Sequence, residues 1–276
     1  MEEKKAAVIG FPIKHSLSPR LHNFWLKTYG LNGDYSSIEV KPEDLESFLL
    51  NLEKAGLKGI NITVPHKEAA FEILQNKANI SEVAQKIGAL NTVYLENGEI
   101  YGTNTDYYGF KQAILRDYPD FTFENKKILV IGAGGAAKAI AGGLSLEKTG
   151  GILVVNRSAV KLQEMQKKLN NQIDISGLDN LEEKINACDL IINATSCGLN
   201  GENNLKIDFT KIVGSKVFYD IVYKPLKTKF LSDAEQNNHK IITGINMLLY
   251  QAVPAFDFFF GKRPEVTAEL QAEMLK

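Results

Sequence analysis

Short runs of β-branched residues alternate with helical patterns along almost the whole chain, and this alternation restricts the fold more than any other feature. Such alternation is typical of βαβ units, in which the strands pair in parallel and the helices cover the sheet. A first series of units ends near residue 105, and a second follows a polar stretch at residues 117–125. The sequence therefore predicts two α/β domains with parallel sheets and a ligand in the crevice between them.

The predicted elements fall into these two series. The first has strands at residues 6–11, 35–40, 59–64, 91–95 and 99–101, and helices at residues 19–29, 42–55, 66–75, 81–87 and 106–117. The second has strands at residues 127–131, 152–156, 190–193, 216–220 and 240–243, and helices at residues 134–146, 159–170 and 225–237. Two further helices, at residues 245–260 and 264–275, end the chain. Asn97-Gly98, between two strands of the first series, predicts a tight hairpin turn.

Composition and charge exclude several classes of protein. The 276 residues are 44% hydrophobic and 24% charged, which is ordinary for a globular protein. Lys plus Arg number 32 and Asp plus Glu number 33, so no basic surface for a nucleic acid is expected. The longest uncharged stretch is 16 residues, at 241–256, whereas a spanning helix needs roughly 20 apolar residues. The first residues lack the pattern of a secretory signal, and two cysteines are too few for a disulfide framework or a four-cysteine zinc site. We expect a soluble cytoplasmic protein that binds no metal, nucleic acid or membrane.

A glycine-rich turn opens the second series. The strand at residues 127–131 is followed by the sequence GAGGA at residues 132–136 and then by a helix. Gly132 permits the tight turn, Gly134 lets a pyrophosphate approach the backbone, and Ala137 takes the closely packed third position. The helix begins with free N–H groups and the positive end of its dipole. This arrangement predicts a dinucleotide site, although the same turn also occurs in α/β proteins that bind no dinucleotide.

The residues after the next strand indicate which dinucleotide. An NAD site usually has Asp or Glu about 20 residues after the glycine motif, bound to the ribose 2′-hydroxyl. Here Asn156-Arg157-Ser158 stands 24 residues after Gly132, and no acid is present. The Arg157 guanidinium is suited to a charge-assisted hydrogen bond with a 2′-phosphate. NADP is therefore favoured, and the alternative is that Arg157 is a solvated residue at a helix start.

Polar residues follow the first and third strands of the first series. Ser16 and Ser18 come just before a helix, where they could bind a ligand or cap the helix. Asn61 and Thr63 alternate onto one face of a strand, and Lys67 follows at its carboxyl end. Open α/β sheets bind ligands at that end of their strands. The alternative for Lys67 is an ordinary solvent-facing lysine.

A third polar cluster contains Asn91 and, after the hairpin, Asp106. The carboxylate of Asp106 could pair with a lysine, or it could cap the helix that it begins, a role for which Thr105 competes. An apolar α/β frame with polar groups at its strand ends predicts a small polar ligand.

Separated motifs run along the chain: GFPIKHSLSP at 10–19, NITVPHK at 61–67, GALNT at 88–92, NTDYYG at 104–109, GAGGA at 132–136, NRS at 156–158, NAT at 193–195, DIVY at 220–223 and TGINMLLYQA at 243–252. The resemblance of the chain to the shikimate dehydrogenase family rests on these motifs and their order, and it covers essentially the whole length. It implies reversible reduction of 3-dehydroshikimate to shikimate with NADPH, in the synthesis of aromatic amino acids. It also implies a Rossmann-type cofactor domain at residues 105–245 and a substrate domain formed by residues 1–104 plus 246–276.

The resemblance further implies the residues of the site. Lys67 and Asp106 would form the catalytic pair. The substrate would be bound by Ser16, Ser18, Thr63, Asn91, Asp106, Tyr223 and Gln251. NADP would be bound by Gly132, Ala133, Gly134, Gly135, Ala136, Asn156, Arg157, Ser158, Lys161, Ile221, Gly244 and Met247. A lysine suits the reaction, because it can stabilise negative charge on the ketone oxygen and also supply a proton.

The chain departs from the family at two positions. Asn79 stands where many members carry an acid, which puts a cofactor contact there in doubt, and Leu199 replaces a common methionine. Neither the cysteines nor the four histidines match functional positions, so we predict structural roles for them. Three alternatives stay open: a quinate/shikimate dehydrogenase that uses NAD, a folate-linked dehydrogenase of similar architecture, and a non-catalytic ligand sensor. The expected assembly is a monomer or a homodimer.

Overall fold

The computed structural model describes residues 3–14 and 16–276. The chain divides into two compact units, Met1–Gly109 with Leu249–Lys276, and Phe110–Leu248. Each unit contains a sheet with helices, and the C-terminal helices belong to the first unit, so the predicted fold class is confirmed. The units divide inside two helices, whereas the sequence places the divisions a few residues earlier, at the point where each helix begins.

The first unit has six strands. They are β1 (Lys4–Gly10), β2 (Gly33–Glu39), β3 (Leu57–Ile62), β4 (Asn79–Ile80), β5 (Thr92–Glu96) and β6 (Glu99–Thr103). The helices up to the second unit are α1 (Ser18–Tyr29), α2 (Leu45–Leu50), α3 (Lys67–Leu74), α4 (Glu82–Ile87) and α5 (Asp106–Asp117), of which α5 runs on into the second unit. After the second unit the chain returns through α10 (Ile245–Phe260) and ends with α11 (Ala268–Met274).

The sheet of the first unit has the order β2-β1-β3-β5-β6-β4. Strand β1 pairs in parallel with β2 and β3, but β5 pairs antiparallel with both β3 and β6. The parallel pairing predicted from the βαβ pattern therefore covers only part of this sheet. The antiparallel part contains the hairpin predicted at Asn97-Gly98, where both residues have positive φ, because a two-residue connection makes the strands it joins run antiparallel.

The second unit contains the other six strands and four helices. The strands are β7 (Lys127–Ile131), β8 (Gly151–Val155), β9 (Asp174–Ser176), β10 (Leu190–Asn193), β11 (Val217–Asp220) and β12 (Lys240–Ile242). The helices are α6 (Gly135–Leu144), α7 (Ala159–Lys168), α8 (Leu181–Asn186) and α9 (Lys229–Gln236). All pairs are parallel, in the order β12-β11-β10-β7-β8-β9. The strand order reverses between β7 and β10, and such a switch point is where open α/β sheets bind ligands.

A continuous apolar core fills each unit. In the first, side chains of β1 and β3 such as Ile9 and Ile60 pack with Leu49 of α2 and Leu74 of α3. In the second, Leu129, Ile191 and Phe218 of the central strands pack against Leu231 of α9. These cores hold the strand ends in fixed positions, and the polar residues that follow the strands are thereby fixed as well.

Several element bounds differ from the predicted ones. The helix predicted at 42–55 is a 3₁₀ turn, Pro42–Asp44, followed by the short α2. The helix predicted at 225–237 begins only at Lys229, because the Thr228 hydroxyl accepts a hydrogen bond from the Leu231 N–H and caps the helix there. Strands β4 and β9 and helix α8 lie outside the predicted elements. The two strands have two and three residues, too few for a recognisable pattern, and they form by pairing with β6 and β8.

Candidate functional site

The ammonium of Lys67 and the carboxylate of Asp106 form an ion pair in the first unit, with 2.6 Å between Nζ and Oδ2. Lys67 is the first residue of α3 and Asp106 the first residue of α5. The side chains are 24% and 10% exposed, respectively, so a small molecule can reach the lysine while the carboxylate is shielded. The two residues are thus brought together as the sequence predicts, although 39 positions separate them.

Backbone contacts hold Lys67 in place. The preceding residue, His66, is buried, and its Nε2 lies 2.7 Å from the carbonyl oxygen of Val40. The carbonyl of Lys67 accepts a hydrogen bond from the N–H of Leu90 at 2.8 Å. These contacts tie the start of α3 to the segments that follow β2 and precede β5, so that mainly the Lys67 side chain is left to move.

The side chain of Asn91 connects the Asp106 carboxylate to neighbouring residues through hydrogen bonds. Its Nδ2 donates to Oδ1 of Asp106 at 2.8 Å and to Oγ1 of Thr105 at 3.0 Å. Its Oδ1 accepts from the backbone N–H of Thr105 and from the hydroxyl of Thr92. Asn91, Thr92, Thr105 and Asp106 are all buried. Because water does not compete for these hydrogen bonds, they hold the orientation of the side chains strongly.

The Asp106 carboxylate bonds to side chains outside the helix that it begins. Its Oδ2 is paired with Lys67, and its Oδ1 accepts from Asn91. The backbone N–H of Asp106 donates to Oδ1 of Asn104 at 3.0 Å. These contacts favour a pairing role for Asp106 over the alternative role of a helix cap.

The other predicted substrate ligands of the first unit lie near this pair or at the start of α1. Ser16 and Ser18 are partly exposed, and the Ser16 hydroxyl accepts from the N–H of Ser18 at 3.3 Å. Neither serine caps α1, because the cap position is Leu17 and has no side-chain hydrogen bond. Gln251, on α10, lies 3.5 Å from the Thr105 hydroxyl through its Oε1, which places it beside the residue that precedes Asp106.

Thr63 and Tyr223 complete the predicted substrate set. Thr63 follows β3 and is partly exposed, and its backbone N–H donates to the carbonyl of Ile9 at 2.9 Å. Tyr223 belongs to the second unit and is partly exposed, and burial raises the pKa of its phenol above the ordinary value. The role of Tyr223 toward the substrate stays a prediction from the resemblance.

The glycine-rich turn of the second unit has the backbone that a phosphate site requires. Gly132 has a φ of +123°, and a Cβ there would lie 2.8 Å from the carbonyl oxygen of Ala194. A side chain is excluded by both conditions, so the strand β7 can turn tightly into α6 only with glycine at this position. Gly134 and Gly135 are exposed, with open space where a side chain would be.

A cavity of about 570 Å³ lies beside this turn. It brings together seven of the predicted cofactor residues: Gly132, Ala133, Gly134, Asn156, Arg157, Ser158 and Lys161. Arg157 is exposed at the rim, and its backbone N–H donates to Oδ1 of Asn156 at 2.8 Å. The Ser158 hydroxyl caps α7 by accepting from the N–H of Lys161, which leaves its own proton available for a ligand. Gly135 and Ala136 follow the turn as the first residues of α6.

Ile221, Gly244 and Met247 form a separate group at the ends of β11 and β12. Gly244 lies so close to Ile221 that a Cβ would overlap the Ile221 carbonyl. The N–H of Met247 donates to the carbonyl of Gly244 at 3.1 Å. These three residues, which the resemblance implies lie at the nicotinamide, are therefore neighbours, and they lie apart from the cavity that contains Arg157.

Asp220, whose role the sequence left undefined, is a fully buried carboxylate at the end of β11. Its Oδ1 accepts from Nδ2 of Asn193 and from the N–H of Val222, and its Oδ2 accepts from the Thr228 hydroxyl at 2.6 Å. Asn193 in turn accepts from the hydroxyl of Thr195, which lines the cavity beside the glycine-rich turn. Burial raises the pKa of Asp220 from 3.8 to about 6, although its three hydrogen bonds lower it.

This raised pKa predicts a pH dependence of stability. A carboxyl with a higher pKa in the folded state stabilises the fold below its unfolded pKa, and that stabilisation is lost as the pH rises through the folded pKa. We expect the stability of the unmodified protein to fall by about 1 kcal/mol relative to Asp220→Asn between pH 5 and pH 8. Urea unfolding of both proteins at several pH values measures the difference. A difference that is constant with pH would contradict a titrating Asp220.

The histidines and cysteines have contacts typical of packing. His22 is fully buried and stacked on Tyr35 at 4.0 Å, and burial lowers its pKa to about 3, so the ring is neutral. His239 packs against Phe218 and has a pKa lowered by burial. His15 lies outside the described residues. Burial raises the pKa of Cys188 to about 11, which keeps it a thiol.

Asn79 lies on β4 in the first unit, where its Nδ2 donates to Oε2 of Glu99 at 3.0 Å. Within residues 3–14 and 16–276, no group of three or more His, Cys, Asp or Glu side chains is placed to hold a metal ion. None of the helices in that part of the chain has the length and apolar character needed to cross a membrane.

Two family models match the chain. The model described as "Shikimate dehydrogenase substrate binding domain" matches residues 8–93, and "Shikimate / quinate 5-dehydrogenase" matches residues 116–210. A curated relative from Brucella melitensis, named shikimate dehydrogenase (NADP(+)), is 41% identical over 275 residues, which cover 99% of this chain and 94% of the relative.

Solved structures of a shikimate dehydrogenase and of a quinate dehydrogenase also superimpose on this chain. The shikimate 5-dehydrogenase of Thermus thermophilus, in complex with NADP(H) and shikimate, superimposes with a TM-score of 0.82 at 32% identity and covers 99% of this chain and 97% of its own. A quinate dehydrogenase from Corynebacterium glutamicum, in complex with NAD, gives a TM-score of 0.88 at 26% identity, with 99% of each chain covered.

Proposed function

The chain belongs to the shikimate dehydrogenase family, and from that membership we propose that it catalyses the reversible reduction of 3-dehydroshikimate to shikimate with NADPH. This step serves the synthesis of aromatic amino acids. The proposal rests above all on the Lys67–Asp106 ion pair, which lies in the partly exposed polar cluster of the first unit. The first unit would bind the substrate and the second the cofactor.

The second unit has the features that NADP requires. The turn at Gly132 and the first N–H groups of α6 form a cradle for a pyrophosphate. The rim of the adjoining cavity carries Arg157 and Lys161, and no acid occupies the position after β8 that would bind a free ribose 2′-hydroxyl. Arg157, Ser158 and Asn156 would bind the 2′-phosphate. When bound, NADPH supplies the hydride.

Lys67 would act on the ketone oxygen. As a ketone is reduced, negative charge builds on its oxygen, and an ammonium beside that oxygen stabilises the charge and can then transfer a proton to it. The ion pair with Asp106 fixes the direction of the ammonium, and Asn91 fixes the carboxylate in turn. In the oxidation of shikimate the same groups would receive the hydroxyl proton.

The remaining polar side chains of the first unit would orient the substrate. The hydroxyls of Ser16 and Ser18 are suited to donate hydrogen bonds to the carboxylate of the substrate. The resemblance adds the hydroxyl of Tyr223 as a third donor. Thr63, Asn91 and Gln251 offer donors and acceptors for the ring hydroxyls.

Gln251 gives a test of this arrangement. Its amide is partly exposed next to Thr105, so its loss would remove contacts to substrate but none to NADP. We expect Gln251→Ala to raise KM for shikimate about tenfold, as for one or two lost hydrogen bonds, with KM for NADP unchanged. Initial-rate measurements with each substrate varied in turn provide both constants. An equal rise in the two constants would contradict a substrate-binding role.

The assignment is tested by absorbance assays of shikimate and quinate, each with NADP and with NAD. We expect rapid reduction of NADP with shikimate and much slower turnover in the other three combinations. Turnover with quinate and NAD at the highest rate would replace the proposal with a quinate dehydrogenase, an alternative favoured by the close superposition on such an enzyme. No turnover in any combination would favour a ligand sensor on the same fold. Cytoplasmic localisation and a monomeric or homodimeric state stay predictions.

A further inference from the structure

A chain of buried hydrogen bonds leads from Tyr35, on β2, to the Lys67–Asp106 pair. The Tyr35 hydroxyl donates to Oδ1 of Asn61 at 2.7 Å, and Nδ2 of Asn61 donates to the Thr92 hydroxyl at 3.0 Å. The Thr92 hydroxyl donates to Oδ1 of Asn91 at 2.9 Å, and Nδ2 of Asn91 donates to the Asp106 carboxylate at 2.8 Å. The exposed fraction is 7% or less at each of these residues.

The sheet explains how Tyr35 reaches so far. Strand β1 lies between β2 and β3, and the residue of β1 opposite Tyr35 is Ala6. Ala6 is paired with Gly59 on β3, two residues before Asn61, so the Tyr35 side chain reaches Asn61 diagonally across β1. Asn61 is paired with Thr92 on β5, so the next bond joins neighbouring strands. The ring itself is held by stacking on His22.

Each group in this chain donates to the next, and the last acceptor is the carboxylate. Burial raises the pKa of the Tyr35 phenol well above the ordinary value, so the hydroxyl keeps its proton and always donates. With Oδ1 of Asn61 facing Tyr35, Nδ2 of Asn61 must face Thr92. The single proton of the Thr92 hydroxyl must then point to Oδ1 of Asn91, which leaves Nδ2 of Asn91 for Asp106.

We propose that Tyr35 is a positioning residue of the reaction: through Asn61, Thr92 and Asn91 its hydroxyl orients the Asp106 carboxylate that aims Lys67. This inference rests on the proposed function.

The expected effect is moderate, because Asn91 has a second support. The backbone N–H of Thr105 donates to Oδ1 of Asn91 at 2.8 Å and remains when the Tyr35 hydroxyl is removed. Loss of the hydroxyl leaves Oδ1 of Asn61 without its donor. The amide that sets the direction of the Thr92 proton is then held only through its Nδ2, which donates to the Asn91 carbonyl at 3.2 Å and to Thr92. We expect Tyr35→Phe to lower kcat about tenfold, the range of one lost hydrogen bond.

The second unit offers a matched control. Tyr219 is also fully buried and stacked on a ring, that of Phe110, but its hydroxyl has no hydrogen-bond partner in the described part of the chain. Tyr219→Phe removes the same atom from the same kind of environment, and its kcat should equal that of the unmodified protein. For both variants, kcat is expressed per NADPH-binding site from a fluorescence titration, so that unfolded protein does not contribute.

The decisive measurement is a double-mutant cycle with Thr92→Val, which cuts the chain between Asn61 and Asn91. If Tyr35 acts through Thr92, adding Tyr35→Phe to Thr92→Val lowers kcat less than twofold. A full tenfold loss of kcat on adding Tyr35→Phe to Thr92→Val would overturn the proposal. A Tyr35→Phe variant with a normal kcat per site and only a lowered Tm would overturn it as well. Inactivity of the unmodified protein with shikimate would instead overturn the proposed function, and this inference with it.

Discussion

Replacing Lys67 with alanine is expected to lower kcat for shikimate oxidation by about 10²- to 10⁴-fold, the usual contribution of a general acid–base group. The substitution removes both the cation beside the reacting oxygen and the group that exchanges a proton with it. Binding of NADP should be unchanged, because the residues proposed to bind the cofactor lie in the second unit. Steady-state kinetics and a cofactor titration measure the two effects.

A surface ion pair of the same unit provides the control for Lys67. Lys77 and Glu46 are 2.7 Å apart, but their side chains are 47% and 58% exposed. Exposed ion pairs contribute little to stability, so the Lys77→Ala variant should keep kcat and stability close to those of the unmodified protein. Asp106→Asn should also lower kcat, and the double variant of Lys67 and Asp106 should lose less than the two single losses combined. A near-normal kcat in Lys67→Ala, with only KM raised, would show that Lys67 binds substrate and does not take part in catalysis.

Replacing Arg157 with alanine is expected to weaken NADP binding about 10- to 150-fold, because one charge-assisted hydrogen bond to the 2′-phosphate is lost. NAD lacks that phosphate, so its affinity should barely change. Fluorescence titration of the two reduced cofactors measures both affinities directly. Arg116→Ala, which removes an arginine of α5 in the same unit, is the matched control and should leave both affinities as they are. An equal loss for NADP and NAD would place Arg157 elsewhere than at the 2′-phosphate.

Much of the fold follows from local sequence signals. The bounds of β7, β10, α5 and α10 match the predicted ones, because strong apolar runs and clear helix starts define them. Where tertiary pairing decides, the sequence shows little: β9 exists because Asp174–Ser176 pairs with β8. The mixed pairing of the first sheet is implicit in the Asn97-Gly98 turn, but the βαβ pattern around that turn favours parallel strands and obscures it.

The site was predictable to the extent that its residues belong to motifs. Lys67 and Asp106 follow strand ends, and the family motifs contain both, so their pairing could be expected from the sequence alone. Tyr35 lies in no motif, and nothing in its local sequence indicates that its hydroxyl reaches Asn61 across another strand. Asp220 is in a motif, but its significance depends on complete burial, which only the packed structure shows.

The discontinuity of the first unit determines the order in which the chain can fold during its synthesis. The second unit is one uninterrupted segment, Phe110–Leu248, and all of it is synthesised before the residues from Leu249 onward that complete the first unit. Those late residues complete the first core: the Trp25 indole donates to the carbonyl of Glu265, and Arg20 pairs with Glu273, 253 positions away. The second unit can therefore be fully synthesised while α1 still lacks the partners of its buried face. A chain that stops before α10 would leave that apolar face of α1 open to water. Packing of the C-terminal residues against α1 is therefore the step that protects the N-terminal part of the chain from aggregation.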